Sequence, residues 1–207
     1  LAAFGPFLEK RWSGRQRTRS LWRLEAEAPW PPAPRTTESA RRALFYDGGS
    51  SRALVPWNDS REFADQTFAA TISELVAACQ KQVPGVPVGF LGGQMPSAFG
   101  GFEWERLLGR VEVVEPYDHG AVHELIRSLA PPHVQVLHTV FPKTEPEGRP
   151  EGRPEPLAHE LYHYFLHGDR GSVVFSSKEV FASLDPLEPT ALATELSSHL
   201  KRLASPA

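Results

Sequence analysis

The sequence predicts an α/β fold built on a parallel sheet, and three observations carry that prediction. Short apolar, β-branched runs recur at 86–91, 111–114, 134–141 and 172–175. They read as fully buried strands bounded by turn residues. Amphipathic helical patterns separate them, and strands alternating with helices imply a parallel sheet with right-handed crossovers. The first two runs also deliver polar or aromatic residues at their C-terminal ends, where parallel α/β sheets bind ligands. Four such strands are half of an eight-stranded barrel, which typically needs about 250 residues. The alternative is an open Rossmann-like sheet of four strands.

Taken in order, Phe4, Phe7, Leu8 and Trp12 fall at helical spacing and read as the end of a helix entering from upstream. Residues 28–34 form a proline-rich connector, and 13–55 as a whole reads as an insertion between the opening helix and the next. Thr36-Thr37-Glu38 opens a short helix through Ala43. Asn58-Asp59-Ser60 reads as the N-terminal cap of a helix over 61–82. Phe63, Phe68, Ile72, Leu75, Val76 and Cys79 supply that helix's apolar face. Pro84-Gly85 stops it. A Gly-rich aromatic loop follows the first strand, then a short helix over 102–108. After the second strand, 119–129 is helical, with Val122, Leu125, Ile126 and Leu129 as its stripe. Pro131-Pro132 ends it before the third strand. Residues 143–156 repeat PEGRP and read as a low-complexity surface loop. Helices over 157–166 and 192–203 flank the fourth strand.

Composition narrows the function. Lys and Arg number 22 against 25 Asp and Glu, with no basic stripe carrying interleaved aromatics. A nucleic-acid partner is therefore not expected, and the basic start at 10–23 reads as a solvated face. The single Cys79 excludes an internal disulfide and is expected to be a buried thiol. No apolar run is long enough to span a membrane, and the start does not read as a signal peptide. A cytoplasmic location is expected. Leu1 in place of Met suggests a processed, trimmed or incomplete chain. Gly92-Gly93 lacks a third glycine and runs into Gln94-Met95-Pro96. That disfavours a phosphate loop, and with it a flavodoxin-like nucleotide binder. No cofactor is expected.

The segments 56–108 (PWNDSREF…FEWERLL), 111–131 (VEVVEPYDHGAVHELIRSLAP) and 161–177 (LYHYFLHGDRGSVVFSS), in that order, resemble the C-terminal half of a glycoside hydrolase barrel. The family they resemble is the β-galactosidases of glycoside hydrolase family 42. The opening FGPFLEKRWSG is similar to the helix after that family's fourth strand. The resemblance covers most of the chain and rests on the order of weak motifs. It implies strands five to eight of a (β/α)8 barrel across 1–207, a carbohydrate substrate, and acid/base hydrolysis of glycosides. It also implies an exposed strand edge, and hence self-association. Two departures stand out. The family's Asn-Glu acid/base pair does not occur here. Its strand-seven nucleophile position falls in VQVLHTVFP, where His138 or Thr139 stands instead of a carboxylate. A non-catalytic carbohydrate-binding or structural relative is therefore the competing reading.

Glu115 and Glu179 are the candidate catalytic acids: Glu115 follows a buried strand, where desolvation suits a carboxyl to proton transfer, and Glu179 follows the fourth strand at the ligand end. The plainer reading of Glu115 is a helix cap or an arginine partner. Trp57, Gln94, Tyr117, Asp118, His138 and Ser176 are the candidate sugar contacts, by stacking or by hydrogen bonds to hydroxyls. Core packing competes for Tyr117, Trp57 and His138, and helix capping for Asp118. Phe99, Phe102 and Trp104 read as a lid over the barrel top or a sugar-stacking wall. His163, His167 and Asp169 do not make a convincing metal set, Asp169-Arg170 reads as a helix-end pair, and no metal is expected. No Gly-x-Ser-x-Gly elbow is present.

Overall fold

A computed structural model describes residues 2–46, 54–97, 100–117, 122–140, 156–175 and 177–204. The chain divides into two compact units, Leu1–Pro84 with Met95–Arg110, and Gly85–Gln94 with Val111–Ala207.

The first unit is helical. It contains α1 (Phe4–Trp12), α2 (Arg15–Leu21), α3 (Thr37–Phe45), α4 (Leu54–Gln82) and α5 (Trp104–Leu108). Phe4, Leu8 and Trp22 form a buried core, and Phe7, Trp12, Leu21, Trp30 and Phe63 pack against it. All five tryptophans of the chain fall in this unit. The expected cap at 58–60 is overturned, because α4 starts at Leu54 and those residues lie inside it. Pro56 is tolerated there because first-turn N–H groups have no intrahelical acceptor. Asp59 is 0% exposed and has a different task. Its carboxylate accepts from Arg11 Nε at 2.7 Å, Trp12 Nε1 at 2.7 Å and Trp22 Nε1 at 2.8 Å. One buried charge thus fastens α1 and α2 to α4. Ser60 accepts from the Arg35 N–H at 2.8 Å and so ties down the connector after the proline-rich run. Cys79 is exposed rather than buried, and Leu75 is 57% exposed. The buried face of α4 runs instead through Asp59, Asp65, Ala69 and Val76.

The second unit holds the expected parallel sheet. Its strands are β1 (Gly89–Gly93), β2 (Val113–Pro116), β3 (Gln135–Val140) and β4 (Gly171–Val174), in the order β1-β2-β3-β4. Every neighbouring pair is parallel. The first two strands sit two to three residues later than the apolar runs suggest, because pairing begins at Gly89 opposite Val113 while Val86 is 54% exposed. A Cβ at Gly89 would lie 1.6 Å from the Val113 carbonyl oxygen, so only glycine permits this approach. The helices are α6 (Val122–Leu129), α7 (Pro156–Leu166) and α9 (Ala191–Ala204). Val140, Leu157, Leu161 and Leu196 make the core between β3, α7 and α9. On α6, Val122 and Ile126 are buried, while Leu125 and Leu129 are partly exposed. A short α8 (Ser177–Val180) leads into an unanticipated antiparallel hairpin, β5 (Phe181–Leu184) with β6 (Leu187–Pro189). Thr190 joins these pieces: its hydroxyl donates to the Glu179 carbonyl at 2.9 Å and accepts from the Ala193 N–H at the start of α9. Among the described residues no helix is long and apolar enough to cross a membrane.

Asp59→Ala strips the acceptor from two buried indoles and a guanidinium. We expect a loss of about 3 kcal/mol in urea denaturation, with tryptophan emission shifted to the red. An unchanged midpoint would show that Asp59 is not the fastening between these helices.

Candidate functional site

Successive residues of a strand point to opposite faces, and this sorts the candidate residues of the sheet unit. On β2, Val114 is 0% exposed and Glu115 points the other way. On β3, His138 and Val140 face α7, since His138 stacks on Tyr164 at 4.5 Å and Val140 packs on Leu157 and Leu161. Thr139 therefore faces the side that Glu115 faces. Its hydroxyl donates to Glu115 Oε1. On the other flank, the Gly92 N–H donates to Glu115 Oε2 at 2.7 Å. One carboxylate, 1% exposed, thus bridges three neighbouring strands near their C-terminal ends.

Gly92 makes this geometry possible. The β1–β2 register shifts between Leu91 and Gly93, and Gly92 sits in that irregularity with φ +75°. Glycine adopts this conformation without steric cost, and bulges of this kind commonly re-aim groups beside sites. The Tyr117 ring lies over the same glycine, where an added Cβ would meet its hydroxyl at 3.4 Å. Tyr117 remains 39% exposed. Gln94 is exposed, and its amide donates to the Gly92 carbonyl at 3.2 Å. Leu91, in register with Glu115, is 60% exposed.

Glu115, Tyr117 and Gln94 therefore gather around one glycine. The other candidates do not join them. His138 belongs to the same strand ends but to the opposite face, beneath α7. Glu179 lies half-buried on α8, which packs against β5 and α9, and no described contact links it to Glu115. Trp57 is on α4, in the helical unit, with its indole N–H buried and without a partner among the described residues. Asp118, Ser176 and Phe99 lie outside the described residues. Trp104 is 1% exposed, and Phe102 packs on Phe68 at 5.1 Å.

Two features were not anticipated. Thr139 as the donor to Glu115 becomes visible only when the strand register is known. The second is a buried polar group on the helix-covered face. Asp169 Oδ2 lies 3.2 Å from His138 Nδ1 and 3.5 Å from His123 Nδ1. His138 Nε2 meets Ser172 Oγ at 3.0 Å. Asp169 is thus a partner of imidazoles, not a helix-end pair with Arg170. Burial works against its ionisation, but the two facing imidazoles, His123 and His138, outweigh burial and hold its carboxyl below the usual aspartate value. Among the described residues no group of three His, Cys, Asp or Glu side chains is placed to hold a metal ion.

No family model, curated protein or solved structure matches the chain.

Two outcomes follow from this geometry. Thr139→Val keeps the shape but leaves Glu115 Oε1 without its donor, and should cost about 1–3 kcal/mol in denaturant melts. The depressed Asp169 carboxyl stabilises the fold above the ordinary aspartate range, near pH 4, and this contribution is lost as pH falls through its lower native value. Asp169→Asn should therefore be less stable than the parent at pH 7, with the gap narrowing below about pH 4. A gap independent of pH would count against the ionised pairing.

Proposed function

We propose that β1–β4 are strands five to eight of a (β/α)8 barrel, and that the chain is a glycoside-hydrolase-like domain acting on β-galactoside-type substrates. The observation that carries this reading is the sequential parallel order β1-β2-β3-β4 with a buried glutamate near the C-terminal end of β2. A doubly wound open sheet reverses its strand order at a switch point, which is where its ligands bind. These four strands have no reversal. Right-handed crossovers in an unreversed order put every helix on one face, in keeping with the α7–α9 core on one side of β3. The other side carries Glu115 and Thr139, as inward-pointing residues of a barrel would be carried.

In this reading Glu115 is the acid/base carboxylate at the floor of the site. Gln94 offers its amide to sugar hydroxyls, and the exposed part of Tyr117 offers a stacking surface. Retaining hydrolysis needs two carboxyls roughly 5–5.5 Å apart. One observation favours the second reading, a carbohydrate binder without turnover: both Glu115 oxygens are already engaged, and no described contact brings a second carboxylate to it.

The test is turnover of a chromogenic β-galactoside, alongside calorimetric titration with galactosides. Turnover that falls about 100-fold or more in Glu115→Gln supports acid/base catalysis. Binding without turnover, weakened about tenfold by Tyr117→Ala, supports the second reading. Neither turnover nor binding would reject both. Turnover unchanged in Glu179→Gln would remove Glu179 from the site.

A further inference from the structure

Three titratable side chains meet between β3, α6, α7 and the turn before β4. His123, His138 and Asp169 are 4%, 1% and 4% exposed. A single oxygen, Asp169 Oδ2, faces both Nδ1 atoms, at 3.2 Å for His138 and 3.5 Å for His123. The second oxygen, Oδ1, and both ring nitrogens of His123 are buried without a hydrogen-bond partner among the described residues. Buried polar atoms are nearly always satisfied, so this concentration of exceptions calls for a physical reason. Tyr164 of α7 closes the cluster, with its ring 4.5 Å from His138 and 4.8 Å from His123.

We propose that His123, Asp169 and His138 form an acid-operated latch that ties α6 to the β3–β4 pair and releases it when both imidazoles are protonated.

The charge count gives the device its direction. With both imidazoles neutral, His138 donates its Nδ1 proton to Asp169 and accepts the Ser172 hydroxyl proton at Nε2. One added proton makes an imidazolium–carboxylate pair of zero net charge, which the buried site tolerates. A second proton leaves one positive charge uncompensated, which a buried site disfavours and solvent does not. Histidine side chains in general change charge between about pH 5 and pH 8, so acidification across that range is the trigger to apply.

The surrounding charges do not supply the missing negative one. On α6, Glu124 is already held by Arg127 at 3.2 Å and by His167 at 2.7 Å. The Arg127 guanidinium lies beside Gly168, within 3.8 Å of where a Cβ there would sit, and adds positive charge at the same turn. On α7, His163 faces Tyr164 at 5.1 Å between ring centroids and His167 at 4.3 Å. Arg170, before β4, is exposed. His123 is the member carried by α6, so α6 is the element that leaves.

The experiment is amide hydrogen exchange read by mass spectrometry on the full chain from pH 7.5 to pH 5, corrected for intrinsic exchange rates. Protection over 122–129 should fall at least tenfold between pH 7 and pH 5, while protection over α9 stays constant. His123→Gln removes the second proton site and should abolish the fall. His138→Gln should do the same, and serves if the first variant does not fold. His167→Gln should leave the fall in place, because its ion pair lies outside the cluster. Flat protection of α6 in the parent chain, or an undiminished fall in His123→Gln or His138→Gln, would overturn the latch.

Discussion

The parallel pairing of β2 with β3 is the constraint on which the chemistry of the sheet unit depends. Val113 lies opposite Gln135 and Val114 opposite Val136. Once that register is set, alternation assigns every side chain a face. Val114, Val136, His138 and Val140 go beneath the helices, and Glu115 and Thr139 go to the other side. A slip of one residue in β2 would turn Glu115 onto the helix-covered face, and one in β3 would turn His138 away from Asp169. The carboxylate bridge and the imidazole cluster are therefore two results of one alignment.

Buried carboxylates recur in both units, each met by a different kind of donor. Asp59 takes two indole N–H groups and a guanidinium, and Glu115 takes a glycine amide and a hydroxyl. Asp169 meets the imidazole of His138, with that of His123 facing the same oxygen at 3.5 Å. The differences matter, because a guanidinium and an indole keep their protons at all ordinary pH values, whereas an imidazole does not. The donors at Asp59 thus keep their protons across the ordinary range, while those at Asp169 are groups that can gain one. The donors to Glu115 are neutral, so its oxygens have hydrogen bonds but no counter-charge among those contacts.

Much of the architecture could be read from residue order. Apolar β-branched runs, separated by amphipathic stretches, located all four parallel strands and the helices between them, with ends displaced by two or three residues in β1 and β2 and by one in β3 and β4. The displacement at β1 has a cause that no local pattern carries: Gly89 is chosen by the carbonyl of Val113, a neighbour 24 positions away. The cap at Asp59 failed for a related reason. Asn-Asp-Ser is good capping chemistry, but two tryptophans from distant helices claimed the carboxylate and the helix extended through it. Cys79 and Leu75 fell on the wrong side because a helix of nearly thirty residues has several arcs that look apolar, and packing selects one. At the candidate site, the position of Glu115 after a buried strand was legible, and so was its neighbourhood with Gln94 and Tyr117. The role of Thr139 and the face of His138 were not, because both depend on strand register.

The placement of the aromatic residues gives the two units separate optical signatures. Every indole lies in the helical unit, whereas Tyr117, Tyr162 and Tyr164 lie with the sheet. Light absorbed at the red edge of the protein band therefore excites only the helical unit. The phenols of Tyr117, Tyr162 and Tyr164 report from within the sheet unit.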